Sequence, residues 1–134
     1  MISSAGIKAL ADFRYALRRF VSFSAEAARE AGVSPQQHQA LLALKAFPAG
    51  ADVTIGDLAA RLCIRHHSAV GLVNRLATRN FVRRVRSSGD RRHVRLELTA
   101  YGNSFIARLS AAHRDELKRV GPELHRLLRE LESE

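Results

Sequence analysis

Apolar residues recur at steps of three and four through most of this chain, and in one short interval they alternate. From about Ala5 to Ala31, Leu10, Phe13, Leu17, Phe20, Val21 and Ser24/Ala28 share one face of a long predicted helix, which Gly32 ends. Ser34-Pro35-Gln36-Gln37 restarts a helix: a serine cap, a proline at the first helical position and a glutamine placed to close a capping box. That helix continues through Ala40, Leu41, Leu44 and Phe47 and stops at Pro48. Thr54, with Asp57 three residues on, caps a short helix carrying Leu58, Ala59 and Leu62. After a tight turn at Cys63-Ile64-Arg65, Ala69, Leu72, Val73 and Leu76 form the apolar stripe of a helix from His66 to Arg79. Asn80, which tolerates the left-handed conformation, marks its exit.

The period then changes. Val94, Leu96 and Leu98 alternate with His93, Arg95 and Glu97, as in a strand with one apolar face. Val82 to Arg86 makes a less regular partner strand, and Ser87-Ser88-Gly89-Asp90 between them has the composition of a turn. Thr99 caps a final helical region with two stripes: Phe105, Ile106, Leu109 and Ala112, then Val120, Leu124, Leu127, Leu128 and Leu131. Gly121-Pro122 predicts a kink or break between them. The expected fold is mainly α with a small β-hairpin.

The 134 residues suit one domain, and their 46% hydrophobic content fills a modest core. No apolar run approaches the ~18–20 residues of a membrane span. The N-terminal residues lack a basic stretch leading into an apolar one. Cys63, the single cysteine, has no internal partner for a disulfide. A cytoplasmic protein without a membrane partner is the expectation.

Charge sharpens the picture. The net charge is +9, and between Arg61 and Arg95 there are ten arginines against one acid, Asp90. The remainder of the chain is neutral, so the entire excess sits in about a quarter of it. Such a patch attracts polyanions, and the planar guanidinium fork suits phosphate and guanine.

Two short helices joined by a tight turn, followed at once by an arginine-rich hairpin, form a winged helix-turn-helix pattern. In that arrangement the second helix enters the major groove of duplex DNA, and its N-terminal part meets base edges. With Ala69, Leu72, Val73 and Leu76 inward, His66 or His67, Val70, Gly71, Asn74 and Thr78 face outward. His67, Val70 and Gly71 are the expected contacts, flanked by His66 and Ser68, and Asn74 and Arg75 complete the candidate DNA-binding residues of this helix. Gly71 costs about 1 kcal/mol of helix propensity and either admits the backbone close to DNA or is a tolerated surface glycine.

Residues from Thr54 to Gly102 resemble the MarR (multiple antibiotic resistance regulator) family. Leu58-Ala59-Ala60-Arg61-Leu62 is similar to its supporting-helix pattern LAxxL, and Leu72-Val73-Asn74-Arg75-Leu76 to its recognition-helix pattern LVDRL. Asp90-Arg91-Arg92 with Leu96-Glu97-Leu98-Thr99-Ala100-Tyr101-Gly102 is similar to its wing signature DRRxxxLxLTxxG. The chain departs from the family at Arg65, where Ser or Thr often caps the recognition helix, and at Asn80-Phe81-Val82, where a glycine often precedes the wing.

The resemblance implies a winged helix-turn-helix lobe over 34–98, with 1–31 and 99–134 as dimerisation helices. It implies a DNA-binding transcriptional regulator, a repressor released by an effector, acting as a homodimer on a pseudo-palindromic operator. Arg91 or Arg92 would enter the minor groove. Asp90 would tether the wing base by pairing with an arginine such as Arg75, and Arg83, Arg84 and Arg86 would meet phosphates or raise the local potential. Leu10, Phe20, Leu124, Leu127, Leu128 and Leu131 would pack in the dimer; packing of the last helix on the first within one chain is the alternative. A small aromatic or phenolic effector would bind near Phe13, Leu17, His38 and Leu41, residues that core packing explains equally well.

No phosphate loop, nucleophile elbow, zincin helix or carboxylate pair appears, so neither an enzyme nor a cofactor is expected. Cys63, His66, His67 and His93 are the residues a metal-responsive regulator would use, although adjacent histidines on a helix point apart. Cys63 between basic residues would serve a redox switch, but Leu62 and Ile64 beside it predict a turn packed on the core, where cysteines are inert.

Overall fold

The computed structural model describes residues 1–86 and 93–134. In chain order these form α1 (Ser4–Glu30), α2 (Pro35–Ala46), α3 (Ile55–Leu62), α4 (His66–Thr78), β1 (Val82–Arg86), β2 (Val94–Leu98) and α5 (Ala100–Glu132). The expected turn at Ser87–Asp90, with Arg91 and Arg92, lies outside the described residues.

Local chemistry accounts for the boundaries. Ser34 Oγ accepts from the Gln37 amide while Gln37 Oε1 accepts from the Ser34 amide, so the capping box of α2 is closed in both directions. Thr54 and Asp57 do the same for α3. Gly32 follows α1 at φ +94°, a left-handed conformation that releases the chain from the helix. Cys63 at φ 56° and Asn80 at φ 62° perform the same function after α3 and α4 without glycine.

The chain divides into two compact units, residues 32–108 and residues 1–31 with 109–134. In the first, Leu41, Leu58, Val73, Leu76, Phe81 and Ile106 are almost fully buried and form the core. Each such side chain contributes about 1.5–3 kcal/mol of transfer free energy, far more than any exposed ion pair here. β1 and β2 pair antiparallel, with Val82 opposite Leu98, Arg84 opposite Leu96 and Arg86 opposite Val94. The Leu96 amide donates to the Val53 carbonyl at 2.7 Å, which ties the segment before α3 to the outer side of β2.

The junction of β1 and α5 explains the Leu-Thr-x-x-Gly pattern. Thr99 donates through its amide to the Phe81 carbonyl at 3.0 Å and through its hydroxyl to the Asn80 carbonyl at 2.7 Å. The same hydroxyl accepts from the Gly102 amide at 2.9 Å and so caps α5. A Cβ at Gly102 would lie 2.2 Å from the Phe81 oxygen. Glycine is required there by packing. Phe81 itself stacks on Tyr101 and tilts against Phe105, with ring centroids 5.0 and 4.8 Å away.

In the second unit, His113 links the two helical segments. Its Nδ1 lies 2.8 Å from the Leu109 carbonyl and its Nε2 2.8 Å from Ser24 Oγ. The Leu109 carbonyl can only accept, so Nδ1 carries the hydrogen between them. Phe20 and Phe23 meet the imidazole in edge-on contacts. At the far end, the Glu134 carboxylate accepts from both the amide and the hydroxyl of Ser3, the N-cap of α1. These bonds hold the Glu134 carboxyl below the usual carboxylate range.

Of the kink or break expected at Gly121-Pro122, the break is absent: α5 is helical from Ala100 to Glu132 with Pro122 inside it. The stripe Leu109, His113, Glu116, Val120, Leu124, Leu127, Leu131 keeps helical phase across the proline. Burial of that face, with Leu127 1% exposed, offsets the one backbone hydrogen bond that proline removes. Among the described residues no helix is long and apolar enough to cross a membrane.

Candidate nucleic-acid interface

α4 buries Ala69, Leu72, Val73 and Leu76 and turns the opposite face outward. His66, His67, Ser68, Asn74 and Arg75 are exposed, and Val70 and Gly71 are half-buried. The outward face expected from helical period is the outward face observed. Arg65 occupies the N-cap with extended backbone but makes no side-chain cap bond, so that capping contribution is missing from α4. A shallow groove runs beside the first half of α4, lined by His67, Ser68, Gly71 and Arg75 with Ile64 and Gln36. Gln36, on the first turn of α2, is a groove residue that sequence reasoning did not single out. Its only signal was its position after the Ser34-Pro35 cap.

The arginines of the basic stretch differ in what they hold. Arg83 binds Glu97 through Nε (3.0 Å) and Nη2 (2.9 Å), and Arg95 binds the other oxygen of Glu97 at 2.8 Å. Glu97 lies two residues beyond the stretch, so counting charge along the chain leaves it out. Arg83 is thus committed to a carboxylate on the hairpin. Arg79 donates to the Gly32 carbonyl at 2.7 Å and covers the Phe81 ring, while Arg61 covers Phe47. Arg84 instead reaches from β1 to α4, where its Nη2 donates to Asn74 Oδ1. Arg86 is exposed at the end of β1. His93, just before β2 on the turn side of the hairpin, pairs with Asp52 in the loop before α3, a second anchor of the hairpin.

Among the described residues, the helix-to-hairpin link is made by Asn74 and Arg84. The expected tether Asp90 and the minor-groove candidates Arg91 and Arg92 fall outside the described residues. The expected glycine before the wing is replaced by Asn80 in the left-handed conformation and a buried Phe81.

Residues 31–93 match the sequence profile of the MarR family. Over that segment, just under half of its length, the chain is similar to the MarR family. The MarR-family match spans α2, α3, α4 and β1 and reaches His93, so it includes every outward residue of α4 and the hairpin arginines Arg83, Arg84 and Arg86. Solved structures agree at the level of fold. A MarR family protein from Bacillus stearothermophilus superposes with a TM-score of 0.77 at 22% identity, covering 99% of this chain and 97% of that one. RV1404 from Mycobacterium tuberculosis gives 0.77 at 21% identity, with 99% and 92% covered. A mutant of MepR from S. aureus bound to an oligodeoxyribonucleotide gives 0.73 at 17% identity, with 89% and 94% covered. No curated protein matches by sequence.

Other expected site residues fall elsewhere. Leu41 is fully buried and His38 is 2% exposed, which makes both core residues of the 32–108 unit; Phe13 is half-buried and Leu17 exposed on α1. Of the expected dimer stripe, Leu10 and Leu128 are exposed and Phe20, Leu124 and Leu131 half-buried, but Leu127 is buried within the single chain. Cys63 is exposed, and Ile64 beside it is 37% exposed. The expectation of a turn packed on the core is corrected. The left-handed exit from α3 turns that segment outward, and Leu58 and Ala59 fill the core in its place. Among the described residues no three His, Cys, Asp or Glu side chains gather as a metal-binding group.

Proposed function

We propose that this protein is a transcriptional regulator that binds duplex DNA in a sequence-specific manner, with α4 in the major groove and the hairpin against the adjacent backbone. One observation supports it above the others: the exposed face of α4 and the arginines of β1 lie in one folded unit and are joined at Asn74 and Arg84. The relative bound to an oligodeoxyribonucleotide supports the same reading by analogy of fold. His66, His67, Ser68, Val70 and Gly71 meet base edges, Arg75, Arg84 and Arg86 meet phosphates, and Arg91 or Arg92 enters the minor groove.

The regulator acts as a homodimer on a pseudo-palindromic operator. Exposed Leu10, Leu17, Val21, Leu117 and Leu128 on the helical unit are the apolar surface a second copy would cover. A small aromatic or phenolic effector, contacting Phe13 and Leu17, relieves repression by favouring the conformation that does not bind DNA. Exposed Cys63 supports a second reading, a redox-responsive regulator. DNA affinity unchanged by peroxide would exclude that variant.

The test is selection of duplexes from fragmented genomic DNA by the purified protein. A pseudo-palindrome with half-sites about one helical turn apart is expected. Recovery of fragments without a shared sequence would contradict specific recognition.

A further inference from the structure

Asn74 and Arg84 are both exposed, yet they are joined to each other rather than left to solvent. Their pairing contrasts with the other hairpin contacts. Arg83 and Arg95 are held by the carboxylate of Glu97, which cancels one positive charge between them. Arg84 is held by an amide oxygen, which orients the guanidinium and leaves its charge whole. Strand alternation puts Arg84 on the same side of β1 as buried Val82, the side toward the core, so its side chain runs out along α4. A polyanion meeting this face finds a full positive charge already aimed.

An asparagine that reads adenine uses both ends of its amide, the oxygen accepting from N6 and the nitrogen donating to N7. In Asn74 the oxygen is already accepting from Arg84. Asn74 is also fixed within α4, where its carbonyl accepts the Thr78 hydroxyl at 2.9 Å. We infer that Asn74 is a positioning residue, which acts on DNA through Arg84 and does not itself choose the base. Arg84 is the phosphate clamp between recognition helix and wing, and the neutral amide at position 74 keeps its charge available. This inference rests on the duplex-binding reading above.

The test is a double-mutant cycle with Asn74→Ala and Arg84→Ala, using a duplex of about 30 bp recovered by the wild-type protein and a mixed-sequence duplex of the same length. Arg84→Ala should lower the slope of log affinity against log salt by about one, the signature of a lost phosphate contact. Asn74→Ala should weaken both duplexes, by about threefold to tenfold as coupled neighbours do. In the Arg84→Ala background it should add nothing. Asn74→Asp should reproduce the slope of Arg84→Ala, since a carboxylate would neutralise the clamp. Additive losses, or a changed base preference in the Asn74→Ala selection, would overturn the inference and make Asn74 a base reader.

The pairing itself is checked without DNA. Arg84→Ala should shift the Asn74 side-chain amide resonances in the free protein, and unshifted resonances would also overturn the inference. A wild-type selection that recovers no duplex at all would instead remove the duplex-binding reading. Because both residues are exposed, thermal melts should show all variants folded.

Discussion

Replacing Gly102 with alanine places a methyl group 2.2 Å from the Phe81 carbonyl oxygen, 3.1 Å from its carbon and 3.4 Å from Leu98 Cδ2. Ordinary contact needs about 1 Å more at the oxygen. The obstacle is backbone, so the start of α5 must move away from β1. Overpacking of this kind costs about 1–3 kcal/mol. The displacement also stretches the bond from the Thr99 amide to the Phe81 carbonyl, 3.0 Å and worth about 1 kcal/mol net. Alanine's better helix propensity returns at most about 1 kcal/mol. The expected balance is a loss of about 1–3 kcal/mol, or a melting temperature lower by about 3–12 °C at this chain length. Thermal and urea melts followed by far-UV circular dichroism measure it. Gly71→Ala is the control: its added methyl meets only the flexible end of Arg75, 3.4 Å away, and should stabilise by up to about 1 kcal/mol. A Gly102→Ala protein as stable as wild type would refute the close-approach explanation of this glycine.

Three further expectations follow from the ion pairs and the hairpin. Glu97→Gln releases Arg83 and Arg95, so affinity for a mixed-sequence duplex at low salt should rise about twofold to fivefold, as expected for one charge near the backbone. The stability cost should be about 1 kcal/mol, since Arg83 is exposed and Arg95 and Glu97 are only half-buried. Arg91→Ala and Arg92→Ala should weaken duplex binding, and the variant that loses a phosphate contact should lower the salt slope by about one. Glu134 is held below the usual carboxylate range by Ser3, so its clamp on α1 is present above the ordinary glutamate range and lost as pH falls through the depressed value. Hydrogen exchange at the Gly6 and Ile7 amides, corrected for intrinsic rate, should accelerate in that acid window, and Glu134→Gln should abolish the pH dependence.

Much of the fold was legible because its signals are local. The Ser34 and Thr54 caps closed as their sequences predict, and Asn80 took the left-handed conformation at the end of α4. The buried face of α4 followed from period alone because Ala69, Leu72, Val73 and Leu76 leave no competing apolar stripe. What was not legible depended on contacts distant in sequence. Pro122 predicts a break by its own chemistry, and only the burial of the stripe on both sides shows why α5 continues. Cys63 looks buried from its apolar neighbours, but a left-handed residue reverses the direction of the chain and exposes it. Within the interface, periodicity separates inward from outward residues but not free cations from committed ones. Arg83 and Arg84 are adjacent in sequence, and one is held by Glu97 while the other is held by Asn74.

Sequence recognition by α4 is tested most directly by the affinity of the wild-type protein for a selected duplex and for its scrambled counterpart across a series of salt concentrations. A recognition helix supported by an arginine-bearing wing predicts binding at least about a thousandfold tighter to the selected duplex at physiological salt. The scrambled duplex should retain a steep salt dependence from phosphate contacts alone. Equal affinity for the two duplexes, with the same salt slope, would mean that the basic face is a general polyanion surface and would contradict sequence recognition by α4.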